Sequence, residues 1–256
     1  MESRPLLYLC ARPQTDAARA EYASFRVATG LTEHGLHAWD LVRAPLPADA
    51  VARYSGFLVG GSPFNVSDPH PDATQRRVER DLETITDAAA ASLTAALFTC
   101  YGIGVVTRRR GGRVTRDVPE GTRPATITLT DAGRSDPVFG VLSERFDAFT
   151  AHKEGAAVPP PGAVLLATND ACPVQAYRIG ERLYATQFHP EPTPHDFAAR
   201  MVVYRDAGYF DADAFDAVSE RVLTASVTEP ARMLRAFATA FGPARASSHV
   251  TPPSGR

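Results

Sequence analysis

The sequence predicts an α/β fold, a mostly parallel open sheet with helices on both faces, followed by C-terminal helices. Three observations predict it. Short apolar runs alternate with longer stretches of helical periodicity through the first hundred residues. Two of those runs stop at residues suited to a sharp turn, Gly60-Gly61 and Cys100. Beyond Cys100 the pattern changes to short strands divided by turn-rich pieces, which predicts antiparallel additions and a return to the main sheet.

Taken in order, "PLLYLC" reads as a strand and "TDAARAEYASFRVATGL" as a helix capped by Thr15 or Asp16. "GLHAWDLV" and "YSGFLVGG" are the second and third strands. In "DATQRRVERDLETITDAAAA", Val78, Leu82 and Ile85 fall on one helical face, and "TAALFT" is a fourth strand. "GRVTRDV", "ATITLT", "RFDAFTAH", "AVLLATND", "VQAYRIG" and "LYATQFH" then read as short strands. From Asp211 two helices are predicted, broken near Glu229-Pro230. Residues 1–208 are expected to form one domain, 209–242 a helical appendix and 243–256 a disordered tail.

The chain has 256 residues, 44% of them hydrophobic, enough for a substantial core. A formal net charge of -2 supplies no basic field for nucleic acid or an anionic membrane, so neither is expected as a partner. No apolar run approaches a membrane span, and the acidic start with its short apolar segment is unlike a secretory signal, which predicts a cytoplasmic protein. Cys10, Cys100 and Cys172 are widely separated and odd in number, which argues for reduced thiols rather than a disulfide framework or structural zinc. No P-loop and no strand-linked G-x-G-x-x-G is present, and no cofactor is expected.

Cys100 is the first candidate for chemistry. In an open parallel sheet ligands collect at the carboxyl ends of the strands. A strand-to-helix turn there places a thiol at a helix N-terminus, where backbone N–H groups favour thiolate. Gly102 supplies the small residue on the far side of such a turn, while Phe98 occupies the near side. The bland reading is a buried core cysteine. In "QFHPEPTPH", His189 and Glu191 lie two residues apart, so an extended chain turns both to one side and the carboxylate can orient the imidazole. His189, Glu191 and His195 are also metal-ligand types, but their spacing matches no H-E-x-x-H pattern and no metal is expected. Gly60 and Gly61 allow close backbone approach to developing negative charge. "TRRRGGRVTR" reads as a solvated helix end and hairpin in preference to a phosphate patch, and Cys10 and Cys172 as structural.

"VGGSPFNVSD", "CYG", "AHKEG" and "QFHPE", in this order across roughly residues 6–205, resemble the class I, triad-type glutamine amidotransferases, and in particular the glutaminase portion of GMP synthase. The resemblance implies a flavodoxin-like sheet and glutamine as substrate. It implies Cys100 as nucleophile, His189 and Glu191 as base and orienter, a thioester intermediate, and oxyanion donors from Gly60, Gly61 and Tyr101. It also implies an ammonia-accepting synthase, expected on another chain. The family usually carries Gly two residues before the cysteine and Gln four after it; here these are Phe98 and Gly104. Gly104, Tyr101 and His152 are therefore the expected substrate-binding positions, with Tyr101 and His152 standing in for the absent amide. Two other readings stay open, hydrolysis of another γ-glutamyl amide and a degenerate ligand- or partner-binding module.

Overall fold

The computed structural model describes residues 4–243. The strands are β1 (Leu6–Cys10), β2 (Leu36–Asp40), β3 (Gly56–Val59), β4 (Ala95–Thr99), β5 (Arg113–Thr115), β6 (Glu120–Leu129), β7 (Arg145–His152), β8 (Gly155–Val158), β9 (Ala163–Thr168), β10 (Ala176–Ile179) and β11 (Leu183–Thr186). The helices are α1 (Thr15–Thr29), α2 (Ala50–Arg53), α3 (Ala73–Ala90), α4 (Tyr101–Arg109), α5 (Asp131–Ser135), α6 (Pro194–Val203), α7 (Phe215–Leu223) and α8 (Pro230–Phe241). Nine strands form one sheet in the order β2-β1-β3-β4-β11-β10-β9-β6-β7, and β5 and β8 pair separately. β2, β1, β3, β4 and β11 are mutually parallel, whereas β10, β9, β6 and β7 continue the sheet antiparallel.

Strand alternation sorts the core into two layers. Leu6 and Tyr8 of β1 face Phe25 of α1 and Phe237 of α8, while Leu7 and Leu9 face the other side with Val78, Leu82 and Ile85 of α3. α3 starts cleanly because the Asp72 carboxylate accepts the Gln75 N–H at 2.7 Å, a cap worth about 1 kcal/mol. The cap of α1 is Gln14, one residue before Thr15 and two before Asp16, and it makes no side-chain cap bond. The first five residues of "ATITLT" end a longer strand, β6, whose first residue, Glu120, matters below, and Thr130 caps α5.

The two C-terminal helices behave differently. Met233, Leu234 and Phe237 of α8 are fully buried in the layer that covers β1 and α1, so this helix belongs to the main core. α7 instead packs with α6, where Val218 and Val222 meet Phe197, Met201 and Phe149. Residues 244–256 of the expected tail lie outside the described residues.

Register decides what the sheet presents at its carboxyl end. Val59 pairs with Phe98 and Thr99 with Thr186. The chain therefore leaves β3, β4 and β11 side by side, placing Gly60-Gly61, Cys100 and the Gln187–Glu191 segment on one rim.

Candidate active site

Cys100 caps α4 with φ 50° and ψ -103°, a left-handed conformation that costs a non-glycine residue about 1–3 kcal/mol. Neighbours hold it there. Its N–H donates to Thr186 O at 2.8 Å, and Ile103 N–H returns to Cys100 O at 3.1 Å. The turn closes because Gly102 has no side chain, since a Cβ there would lie 2.9 Å from Phe98 Cβ. The missing side chain of Gly102 thus makes room for Phe98, which sits fully buried without opening the turn. The sulfur is 3.8 Å from Ala151 O.

His189 is anchored by its N–H to Phe149 O at 2.9 Å, and its Nδ1 is 3.1 Å from Glu191 Oε1. Burial opposes a charged imidazole, but the Glu191 carboxylate and the Cys100 sulfur outweigh it and raise His189 to about 9. Burial likewise opposes the Glu191 carboxylate, and His189 with Arg200 holds it far below the usual range. His189 Nδ1 faces Glu191, which leaves Nε2 for the thiol.

Sequence reasoning missed the charges beneath this pair. Arg200 NH1, on α6, contacts Glu191 Oε1 at 2.8 Å and Glu21 Oε1 at 3.5 Å, and Arg12 NH2 contacts Glu21 Oε1 at 2.7 Å. Tyr8 OH donates to Glu21 Oε2 at 2.6 Å. Burial opposes charge on Glu21, yet the two guanidiniums keep it below the usual carboxylate range. Arginine and glutamate on an amphipathic helix ordinarily read as solvated, so only the fold reveals this network. α6 itself had a sequence signal, the Thr193–Asp196 capping box ahead of an apolar run.

The expected oxyanion donors do not converge as the sequence suggested. Gly60 N–H is spent on Leu9 O at 3.1 Å, completing the sheet, and Gly61 N–H donates to Glu21 Oε1 at 3.3 Å. Gly61 nevertheless must be glycine, since a Cβ would sit 2.8 Å from Arg12 NH2 and 2.9 Å from His189 Cε1. Tyr101 N–H, opening α4, has no acceptor among the described residues.

Neither proposed stand-in for the absent amide is available. The Tyr101 hydroxyl turns away to Glu79 Oε1 at 3.1 Å. His152 has both nitrogens engaged, Nδ1 with Glu154 O and Nε2 with Glu120 Oε2, each at 3.0 Å. His195 is exposed on the first turn of α6, away from the rim. Two groups of metal-ligand types do come together, Glu21, His189 and Glu191, and Glu120, His152 and Cys172. In the first, Arg12 and Arg200 already supply the positive charge. In the second, Glu120 accepts from Asn169 Nδ2 at 2.9 Å and Gln175 Nε2 at 2.5 Å besides His152, so its lone pairs face N–H donors. The arginines of "TRRRGG" pair with acids of α3: Arg108 with Glu79 and Glu83, Arg109 with Asp87.

Two recesses meet at Cys100. One runs past Gly104, Glu154 and Gln187; the other runs past His189, Arg200 and Tyr204. Tyr209 borders both, and its segment is tied down by Lys153, whose Nζ donates to Ala207 O at 2.5 Å and lies 4.9 Å from the Tyr209 ring centre.

Residues 28–204 match the family described as glutamine amidotransferase class-I. The chain belongs to that family. The amidotransferase chain is 30% identical over 151 residues to a glutamine-hydrolyzing GMP synthase of Christiangramia forsetii, covering 57% of this chain and 26% of the relative. It is 34% identical over 115 residues to the glutamine amidotransferase-like protein chyE of Penicillium rubens, covering 44% and 46%. It thus matches about a quarter to a half of the length of these curated relatives. A solved glutamine amidotransferase from Methylobacillus flagellatus shares the fold with a TM-score of 0.67 at 16% identity, over 96% of this chain and 99% of that one. Among the described residues no helix is long and apolar enough to cross a membrane.

Proposed function

We propose that this amidotransferase hydrolyses the γ-carboxamide of glutamine through Cys100, His189 and Glu191. The observation that carries the reading is the strained Cys100 at the start of α4, facing an imidazole whose other nitrogen is held by a buried carboxylate. The Cys100 thiolate attacks the carboxamide carbon, forming a C–S bond. The tetrahedral intermediate collapses as His189 gives its proton to the leaving nitrogen, releasing ammonia and leaving a thioester. His189 then takes a proton from water, the resulting hydroxide adds to the thioester carbon, and glutamate leaves with the thiolate regenerated. Tyr101 N–H serves as an oxyanion donor.

With the Gly60 and Gly61 N–H groups committed elsewhere, a second oxyanion donor requires a change in this segment. We therefore expect low activity alone and a rise when a separate ammonia-using synthase docks on the strand-end rim or on the α7–α8 region. Residues 1–208 form the catalytic domain in this reading, and residues 209–242 serve as its appendix. Three free cysteines suit a reducing, cytoplasmic setting.

The test is exposure to a glutamine-like diazo-ketone followed by mass spectrometry. An adduct on Cys100 that glutamine protects against supports the reading; labelling elsewhere, or none, removes it. A second reading, a different γ-glutamyl amide as substrate, rests on Gly104 replacing the family's Gln, and the same adduct would form.

A further inference from the structure

Two recesses meet at Cys100, and glutamine accounts for only one of them. The recess past Gly104 is polar: Lys153 and Gln187 border it, as does Glu154, whose carboxylate accepts the Val66 N–H at 2.6 Å and the Ser67 N–H at 3.0 Å. A polar acyl chain fits there. The recess past His189, of about 410 Å³, is walled by Phe197, Met201, Tyr204 and Phe210. Because His189 protonates the leaving nitrogen, that nitrogen faces this side, and any group it carries enters this space. Ammonia carries none, so hydrolysis of glutamine makes no use of these walls.

The walls are aromatic and held in place. Phe197 stacks on Phe149 with ring centres 4.5 Å apart, and its own ring centre is 5.8 Å from that of His189. Phe210 leans on Phe215 of α7 at 5.8 Å, so the helical appendix supports one wall. Rings at fixed spacing favour a flat apolar guest. Charge restricts the guest further. Arg12 and Arg200 line the recess, each with unspent donors: Arg12 Nε and Arg200 Nε and NH2 have no acceptor among the described residues. Their carboxylate partners, Glu21 and Glu191, do not line it. Two guanidiniums facing a recess without a lining carboxylate oppose an ammonium, so an amine enters uncharged. An aromatic primary amine meets both conditions, being flat and neutral at physiological pH.

Resting on Cys100 as the nucleophile, we infer that this recess is an acceptor site for aromatic amines, and that the enzyme transfers the acyl group of glutamine to them as well as to water. The amine nitrogen adds its lone pair to the thioester carbon, its proton passes to His189 Nε2, and the C–S bond breaks to return the Cys100 thiolate. The sum is glutamine plus arylamine giving γ-glutamyl arylamide plus ammonia, with nothing oxidised or reduced. Amine and water compete for one thioester.

The experiment supplies the full chain with glutamine and either aniline or methoxyamine, two amines of similar basicity that are both uncharged at neutral pH. Mass spectrometry measures the ratio of amide product to glutamate. Only aniline has a ring to bury, so its ratio should be about tenfold or more above that of methoxyamine at equal concentration. Phe210→Ala removes one wall and should lower the aniline ratio several-fold. Met201→Phe narrows the recess from α6 and should do the same. Both products arise from one thioester, so the ratio does not depend on how much of a variant is folded. A ratio no higher for aniline than for methoxyamine, or one unchanged in both variants, overturns the inference. Glutamate without anilide, while the diazo-ketone still labels Cys100, removes the transfer alone; no label on Cys100 removes the nucleophile assignment and the inference with it.

Discussion

The molecule contains two buried Cys, His and Glu clusters about the same turn, and they are built for opposite ends. In the first, Cys100 sits at a helix N-terminus on strained backbone, and His189 uses only Nδ1 on its carboxylate. In the second, Cys172 lies in the β9–β10 connection with its N–H on Asn169 Oδ1 at 2.7 Å, and His152 spends both nitrogens. Burial, aided by the Glu120 charge, raises the Cys172 thiol to about 12, where it stays protonated. Residue types alone do not make a nucleophile. A free imidazole nitrogen and a backbone that aims the sulfur at the strand-end rim distinguish the two, and the second cluster instead stiffens the turn that carries Ala151 and Glu154.

The largest expected effect breaks this comparison directly. Cys100→Ala or His189→Ala should lower glutamine hydrolysis by about 10⁴-fold or more, because members of a nucleophile–base pair act as a unit. Cys172→Ala should leave kcat within about threefold and cost only about 1–2 kcal/mol of stability, the price of lost packing. His152→Gln should act between these limits, raising KM more than it lowers kcat, as expected if it positions the 151–155 turn. Steady-state kinetics and thermal unfolding of the four variants check this. Equal losses in Cys100→Ala and Cys172→Ala would show that the two clusters are not functionally distinct.

The pH dependence of stability sharpens the same contrast at smaller magnitude. His189 is raised from an ordinary value near 6.5 to about 9, so its contribution is fully present below pH ~6.5 and is lost as pH climbs through about 9. Glu191 is lowered, so its contribution is present above the ordinary carboxylate range and is lost only as pH falls well below it. Between pH ~6.5 and ~9 the protein should lose on the order of 2–3 kcal/mol through His189, and His189→Gln should flatten that slope. Denaturant unfolding across this range measures it. A slope that survives in His189→Gln would place the titrating group elsewhere.

How much of this was legible beforehand follows from how each part is stabilised. The parallel strands and α3 carry their burial in their own periodicity, and Cys100 and His189-x-Glu191 stand at the ends of recognisable apolar runs. The Arg12–Glu21–Arg200 network carries no such mark. Its members are charged residues, two of them on amphipathic helices, and their burial arises when α1, α6 and the strand ends meet. The direction of the Gly61 N–H is hidden for the same reason, since Glu21, forty residues earlier, claims it. The place of α8 in the core is likewise tertiary: its buried Phe237 looks in sequence like any amphipathic helix residue until α1 lies beside it.

The smallest effect tests which element reads the substrate. Placing the family's residue back with Gly104→Gln introduces a Cβ 3.1 Å from Val66 Cγ2, which must give by a few tenths of an ångström, while the helix gains about 0.5–1 kcal/mol of propensity over glycine. Stability should therefore change by less than about 1 kcal/mol. The new Cβ would lie 3.5 Å from Glu154 Oε1, so the amide beyond it can donate to that carboxylate and fill the recess beside Cys100. KM for glutamine should rise by roughly three- to tenfold with kcat little changed, an effect the size of one contested hydrogen bond. Combining Gly104→Gln with Glu154→Gln should then cost less than the two changes separately, because both act on one contact. A fall in KM for the single variant would mean that α4 is still the reading element and that Gly104 is simply a lost contact. In that case the carboxylate held by the second cluster's turn would be a loop anchor for Val66 and Ser67 and nothing more.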